Sequence, residues 1–189
     1  MKQEDRVRQT KQAFRTALLH YLQKKTIDKI TVKDLTDFTN YSRSTFYLYY
    51  QDIFALKEDL EQAVFSEVQA RMERHSPEEL KKTLTPLIRE MYEYADQNRD
   101  VFFILSSNNS YLELTGGIME RLRDYCYSSW DILYPNADRN KYHLYYHYLA
   151  SGLISTVIYW ITDGQESIDE ISAVTAQLAE AGAKVLYSK

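Results

Sequence analysis

Three prolines and five glycines are all that punctuate the 189 residues. A chain so poor in helix breakers and tight-turn formers is constrained to run mostly as helix. Apolar residues recur at three- and four-residue spacing along most of it, the period of an amphipathic helix. Over residues 5–24 the apolar positions are Val7, Phe14, Ala17, Leu18, Tyr21 and Leu22, and the opposite face is basic. Residues 26–31 interrupt that helix, with Ile30 as a possible staple and Thr31 as the cap of a short helix over 31–39. Asn40 tolerates the left-handed turn that must follow. Ser42 then caps a second short helix running to residue 49, with Phe46 turned inward against the first helix.

Two short helices joined by a tight turn, each burying one face on a long first helix, form a helix-turn-helix with 42–49 as its recognition helix. Longer helices are predicted over 52–75 and 76–95, the second with Pro86 kinking it or shifting its effective start. A short apolar helix over 100–107, a loop at 107–110 and a flexible Gly116-Gly117 precede helices over 118–134, 138–162 and 168–186. The expected fold is therefore all-α with about nine helices. A three-helix N-terminal domain over 1–50 precedes a larger helical bundle over 51–189.

Charge divides along the same line. Residues 1–50 carry ten Lys and Arg against five Asp and Glu, whereas the remainder carries 13 against 22. A basic end on an acidic chain suits a polyanion. The single cysteine, Cys126, lies among apolar and aromatic residues and reads as packing. His143 and His147 share one helix face, but no third ligand accompanies them, so neither metal nor cofactor is expected. Phosphate-cradling glycine loops, G-x-S-x-G and H-E-x-x-H are all missing, which argues against an enzyme. Met1 runs straight into charged residues, and the longest near-apolar stretch, 149–161, is too short for a bilayer. The expectation is a cytoplasmic protein with no membrane partner.

The segment Ile30-Thr31-Val32-Lys33-Asp34-Leu35, followed by Ser42-Arg43-Ser44-Thr45-Phe46-Tyr47-Leu48-Tyr49-Tyr50, resembles the DNA-binding domain of TetR-family regulators. The Ile-Thr-Val lead, the S-x-x-T-F-Y helix and an aromatic exit into a long fourth helix carry the resemblance, over the first third of the chain. Ser151-Gly152, Tyr159-Trp160 and Gly164 resemble the penultimate helix of such proteins. The resemblance implies an Ω-shaped homodimer joined by its last two helices. It also implies operator DNA as partner and a pocket for a small effector that releases it. Three departures stand out. Thr39-Asn40-Tyr41 replaces the common Ala-Gly-Val, Ile53 stands where a phosphate-reaching lysine is common, and Arg43 is the only base on the recognition helix.

The candidate DNA-binding residues are Thr31, Lys33, Ser42, Arg43, Ser44, Thr45, Tyr47 and Tyr49. Thr31 and Lys33 suit a phosphate, as does Tyr47 by the family motif, while Thr45 can reach a phosphate or a thymine methyl. Arg43 is the candidate for bidentate readout of guanine. Phe102, Tyr125, Trp130 and Trp160 are candidates for an effector cavity, and equally for core. Ile154, Ile158, Leu178 and Val185 are candidates for the dimer interface. Two functions remain open: an effector-released homodimeric repressor on a palindromic operator, and an activator or co-regulator whose second domain receives a protein.

Overall fold

A computed structural model of the chain describes residues 3–99, 101–102 and 110–187. Among the described residues there are nine α-helices and no strand. They are α1 (Gln3–Leu22), α2 (Val32–Thr39), α3 (Arg43–Tyr49), α4 (Ile53–Met72), α5 (Pro77–Leu80), α6 (Thr85–Gln97), α7 (Ser110–Leu133), α8 (Tyr142–Thr162) and α9 (Ile168–Ala183). No helix among them is long and apolar enough to cross a membrane. The chain divides into two compact units, one of Met1–Val64 with Ile104–Gly117, the other of Phe65–Phe103 with Ile118–Lys189.

The all-helical expectation holds, with three local differences. Helix α7 runs unbroken through Gly116-Gly117, which were expected to be a flexible break. Glycine costs a helix only about 1 kcal/mol relative to alanine, so it weakens a helix without ending it. Pro86 shifts the effective helix start, one of the two outcomes expected of it, and sits in the first turn of α6 where its missing N–H costs nothing; the difference is that α5 is left as a separate single turn. Residues 139–141 form a 3-10 turn capped by Asp138, so α8 begins only at Tyr142. The predicted helix at 100–107 and the loop at 107–110 fall mostly outside the described residues.

In the first unit, Phe14, Ala17, Leu18 and Leu22 of α1 form the buried stripe that their spacing predicts. Leu35 of α2, Phe46 of α3, Tyr50, and Ile53, Leu56 and Leu60 of α4 are buried with them. Phe14 meets the ring of Phe46 edge-on at 5.3 Å and that of Tyr50 edge-on at 6.3 Å, the arrangement that ring quadrupoles favour.

A polar clamp lies beside this core. Asp59 of α4 accepts hydrogen bonds from Arg15 Nε at 2.7 Å, Lys11 Nζ at 3.0 Å and the Tyr50 hydroxyl at 2.9 Å. It thus ties α1, the exit of α3 and α4 to one carboxylate. Burial alone would raise the Asp59 carboxyl, but the bonds from Arg15, Lys11 and Tyr50 outweigh it and hold the group below its ordinary value. Burial, then the bond to Asp59, pushes the Tyr50 phenol well up.

The second unit packs around two aromatic clusters. One joins Ile88, Tyr92 and Ala95 of α6 to Val157 and Trp160 of α8 and Ala176 of α9. The other joins Trp130 of α7 to Tyr142, Tyr145 and Tyr146 of α8, with Ala183 and Leu186. Their buried polar tips find partners. The Tyr92 hydroxyl meets Thr175 Oγ1 at 3.0 Å, Tyr145 donates to the carbonyl of Ala179 at 2.9 Å, and Trp160 Nε1 donates to that of Glu166 at 2.8 Å. Cys126 packs against the Trp130 cluster, and burial pushes its thiol up to about 12.

Removing the Asp59 carboxylate strands two cations and a phenol at once. Asp59→Ala should lower unfolding stability by about 1–3 kcal/mol, read from urea melts of the full chain. Because the folded carboxyl lies below its ordinary 3.8, its contribution is complete above that value and is lost as pH falls through the lower, folded one. The gap between wild type and variant should therefore close at strongly acid pH. Coincident melts at neutral pH would show that the clamp holds nothing.

Candidate nucleic-acid interface

The surface formed by α2 and α3 is built by its caps. At the start of α2, Asp34 Oδ2 accepts from the backbone N–H and the hydroxyl of Thr31, each at 2.7 Å, and Thr31 Oγ1 accepts the Asp34 N–H at 3.2 Å. Lys25 adds a 2.7 Å bond to the same oxygen. The bonds from Lys25, then Thr31, lower the Asp34 carboxyl to about 2. Both the amide and the hydroxyl of Thr31 are thus committed to the capping box. What this end offers an anion is the unbonded first-turn amides that every helix start carries, with the exposed Lys33 ammonium beside them.

Asn40 closes α2 in the left-handed conformation, φ 57° and ψ 20°, which an Asn side chain tolerates better than most. Two residues later Ser42 caps α3, its Oγ accepting the Thr45 N–H at 3.0 Å and meeting Thr45 Oγ1 at 2.8 Å. Ser42 and Thr45 therefore serve the helix first. Asp52 similarly starts α4 by accepting the Ala55 N–H at 2.8 Å, and Ile53 is buried. A lysine is thus missing there for a structural reason, since that position feeds the core.

Helical spacing then sorts the residues of α3 by face. Phe46 is fully buried, and Thr45 and Tyr49 are half-buried. Arg43, Ser44, Tyr47 and Leu48 form the exposed face. The side chains of Arg43, Ser44 and Lys33 have no partner among the described residues, nor does the Tyr47 hydroxyl. Tyr47 is 57% exposed, its ring steadied edge-on by Phe46 at 5.5 Å. One face of one short helix therefore presents a guanidinium fork, two hydroxyls and one branched apolar side chain. Reading the sequence alone missed Leu48 as part of this face and Asp59 as its support. Leu48 was findable by helical spacing from Phe46, whereas Asp59 left no local signal.

In the second unit, Phe102 and Trp160 belong to one cluster, Trp130 to the other, and Tyr125 is half-buried on α7. These four are not brought to one place. Leu178 and Val185 are exposed, while Ile154 and Ile158 are half-buried at the edge of α8. Leu144, Tyr148, Tyr159 and Val174 are also exposed, so α8 and α9 each carry an uncovered apolar face. His143 and His147 stand exposed beside it.

Comparisons with known proteins agree with this geometry. Residues 82–181 match a family model described as the C-terminal region of transcriptional regulators of the TetR type. Among curated proteins, none matches the sequence. Several solved structures share the fold. A TetR transcriptional regulator from Streptococcus agalactiae 2603V is 20% identical, over 93% of this chain and 96% of its own, with a TM-score of 0.64. A TetR-family regulator from Syntrophomonas wolfei is 14% identical over 96% of both chains, with a TM-score of 0.70. A dihydroxyacetone kinase operon activator, DhaS, is 16% identical over 94% of this chain and 97% of its own, with a TM-score of 0.51. With the family model spanning more than half of its residues, the chain belongs to the TetR family of DNA-binding transcriptional regulators.

Proposed function

We propose that this regulator is a sequence-specific repressor, acting as a homodimer on a palindromic operator and released by a small-molecule effector. In this reading residues 1–50 grip DNA, and 51–189 receive the effector and form the dimer. The observation that carries it is the outer face of α3, where an exposed arginine and two exposed hydroxyls project from a helix whose inner face is locked by Phe46. Such a helix fits a major groove, with its side chains against base edges. Arg43 reads guanine by a two-pronged bond, and Ser44 and Tyr47 reach bases or phosphates. Lys33 and the start of α2 hold the backbone, and Ser42, Thr45, Thr31 and Tyr49 keep these groups in register.

The dimer rests on the uncovered faces of α8 and α9. Leu178 is 56% exposed and Val185 49%, and a two-fold pairing of these helices with their copies would cover both. Two-fold symmetry also matches a palindrome read by two copies of α3.

A second reading has support of its own. The candidate pocket residues are divided, Phe102 and Trp160 in one packed cluster and Trp130 in the other, with Tyr125 in neither, and one structural relative is, by its name, an activator. Both favour a regulator whose second unit receives a protein. A thermal-shift screen against small metabolites, beside capture of host proteins by the full-length chain, separates the two.

Selection of bound sequences from random DNA tests the main reading, and a palindromic site should emerge. On that site Arg43→Ala should cost about 1–3 kcal/mol and relax preference at one base pair per half-site. Weaker binding with every preference intact would reassign Arg43 to phosphate. Lys33→Ala should weaken specific and non-specific binding alike and flatten the salt dependence by about one unit of slope per half-site. Tyr47→Phe should weaken binding with the slope unchanged, because a neutral hydroxyl displaces no counterion. Leu178→Glu should convert the dimer to monomer in sedimentation at micromolar concentration, and a wild-type monomer there would overturn the proposed assembly.

A further inference from the structure

Leu48 is the most exposed large apolar side chain among the described residues, at 73%. It stands on the outer face of α3, where residues four apart fall into rows. Arg43 and Tyr47 make one row, Ser44 and Leu48 the other. Three of these four can exchange hydrogen bonds with DNA. Leu48 can neither donate nor accept one, so it cannot bind a phosphate or the polar edge of adenine, guanine or cytosine. The major groove offers one apolar group at the base edges, the C5-methyl of thymine.

From these observations we propose that Leu48 is a specificity determinant that reads the C5-methyl group of a thymine in each operator half-site. The proposal rests on the assignment of α3 to the major groove made above. The surroundings favour DNA over an apolar protein partner. The exposed Arg43 shares the face, the exposed Lys33 stands at the neighbouring helix start, and residues 1–50 carry a basic excess. A side chain kept in water at such exposure gains free energy as soon as it meets an apolar group. Five residues separate Leu48 from Arg43, about 7.5 Å along the helix. For a helix lying along the groove that is about two base steps of 3.4 Å. The thymine should therefore fall about two base pairs from the guanine read by Arg43.

Uracil lacks only the C5-methyl group, which makes it the direct probe. Each thymine of the selected operator is replaced in turn by uracil, symmetrically in both half-sites, and binding of full-length protein is measured. Wild type should lose about fourfold per half-site at one position, the equivalent of one buried methyl, and little elsewhere. Leu48→Ala should bind the thymine operator about as weakly as wild type binds the uracil one, and should be indifferent to uracil at that position. Its site is exposed, so the variant should melt with wild type. Wild-type binding unchanged by uracil at every position, or a uracil penalty undiminished in Leu48→Ala, would overturn the inference while leaving the DNA-binding function standing. Failure to select any sequence at all would overturn both.

Discussion

The edge-on packing of Phe46 and Phe14 is the contact on which the outer face of α3, the proposed DNA-binding surface, depends. Helix α3 has seven residues, far fewer than an isolated helix needs to persist in water. Its stability must come from outside itself. Phe46 supplies apolar burial against α1, Tyr50 extends that packing at the exit, and Ser42 supplies the first hydrogen bond at the start. Because only one face is taken up in this way, the orientation of the other follows without further contacts. Arg43, Ser44, Tyr47 and Leu48 point outward because Phe46 points inward.

Asp59 makes that arrangement stiff. Its two oxygens gather Lys11, Arg15 and Tyr50 from two other segments. Tyr50 is therefore held at both ends, its ring in the core and its hydroxyl on a carboxylate. A carboxylate shared by two cations and a phenol would lose heavily if any element withdrew, since burial without those partners is costly. The clamp takes up none of Arg43, Ser44, Tyr47 and Leu48, and it fixes the residue at the exit of α3 to both α1 and α4.

What was legible in the sequence follows from range. Thr31, Asn40 and Ser42 announce the bounds of α2 and α3 because capping acts within four residues, and the structure places those helices at the expected ends. The Phe14, Ala17, Leu18 and Leu22 stripe is likewise a local period. Gly116-Gly117 misled because glycine lowers helix propensity without forbidding a helix, and a long helix can carry two. Asp59 is separated from Arg15 by 44 residues and from Lys11 by 48, and no local pattern links them. The aromatic residues of the second unit announce a core, but composition cannot divide one set of rings into two clusters.

That division also bears on how the second unit could respond to a signal. Tyrosine is a demanding core residue, since each ring brings a hydroxyl that must be paired when buried. Tyr92 with Thr175, and Tyr145 with the Ala179 carbonyl, meet that demand by bonding α6 and α8 to the same helix, α9. Moving either ring would break a specific bond as well as apolar contact, so these helices prefer discrete positions to gradual sliding. On the outer side of α8 the pattern reverses. Leu144, Tyr148 and Tyr159 are exposed around the small residues Ser151, Gly152 and Ser155. A Cβ added at Gly152 would meet nothing within 4 Å, so the chain's own fold does not require the glycine there. A surface that is apolar at its ends and small at its middle is shaped for close approach by another backbone, which is what pairing α8 with a second copy would supply. The same α8 carries Tyr145 and Trp160 into the two clusters behind it, so a second copy packed on its outer side would be braced by both cores of the second unit.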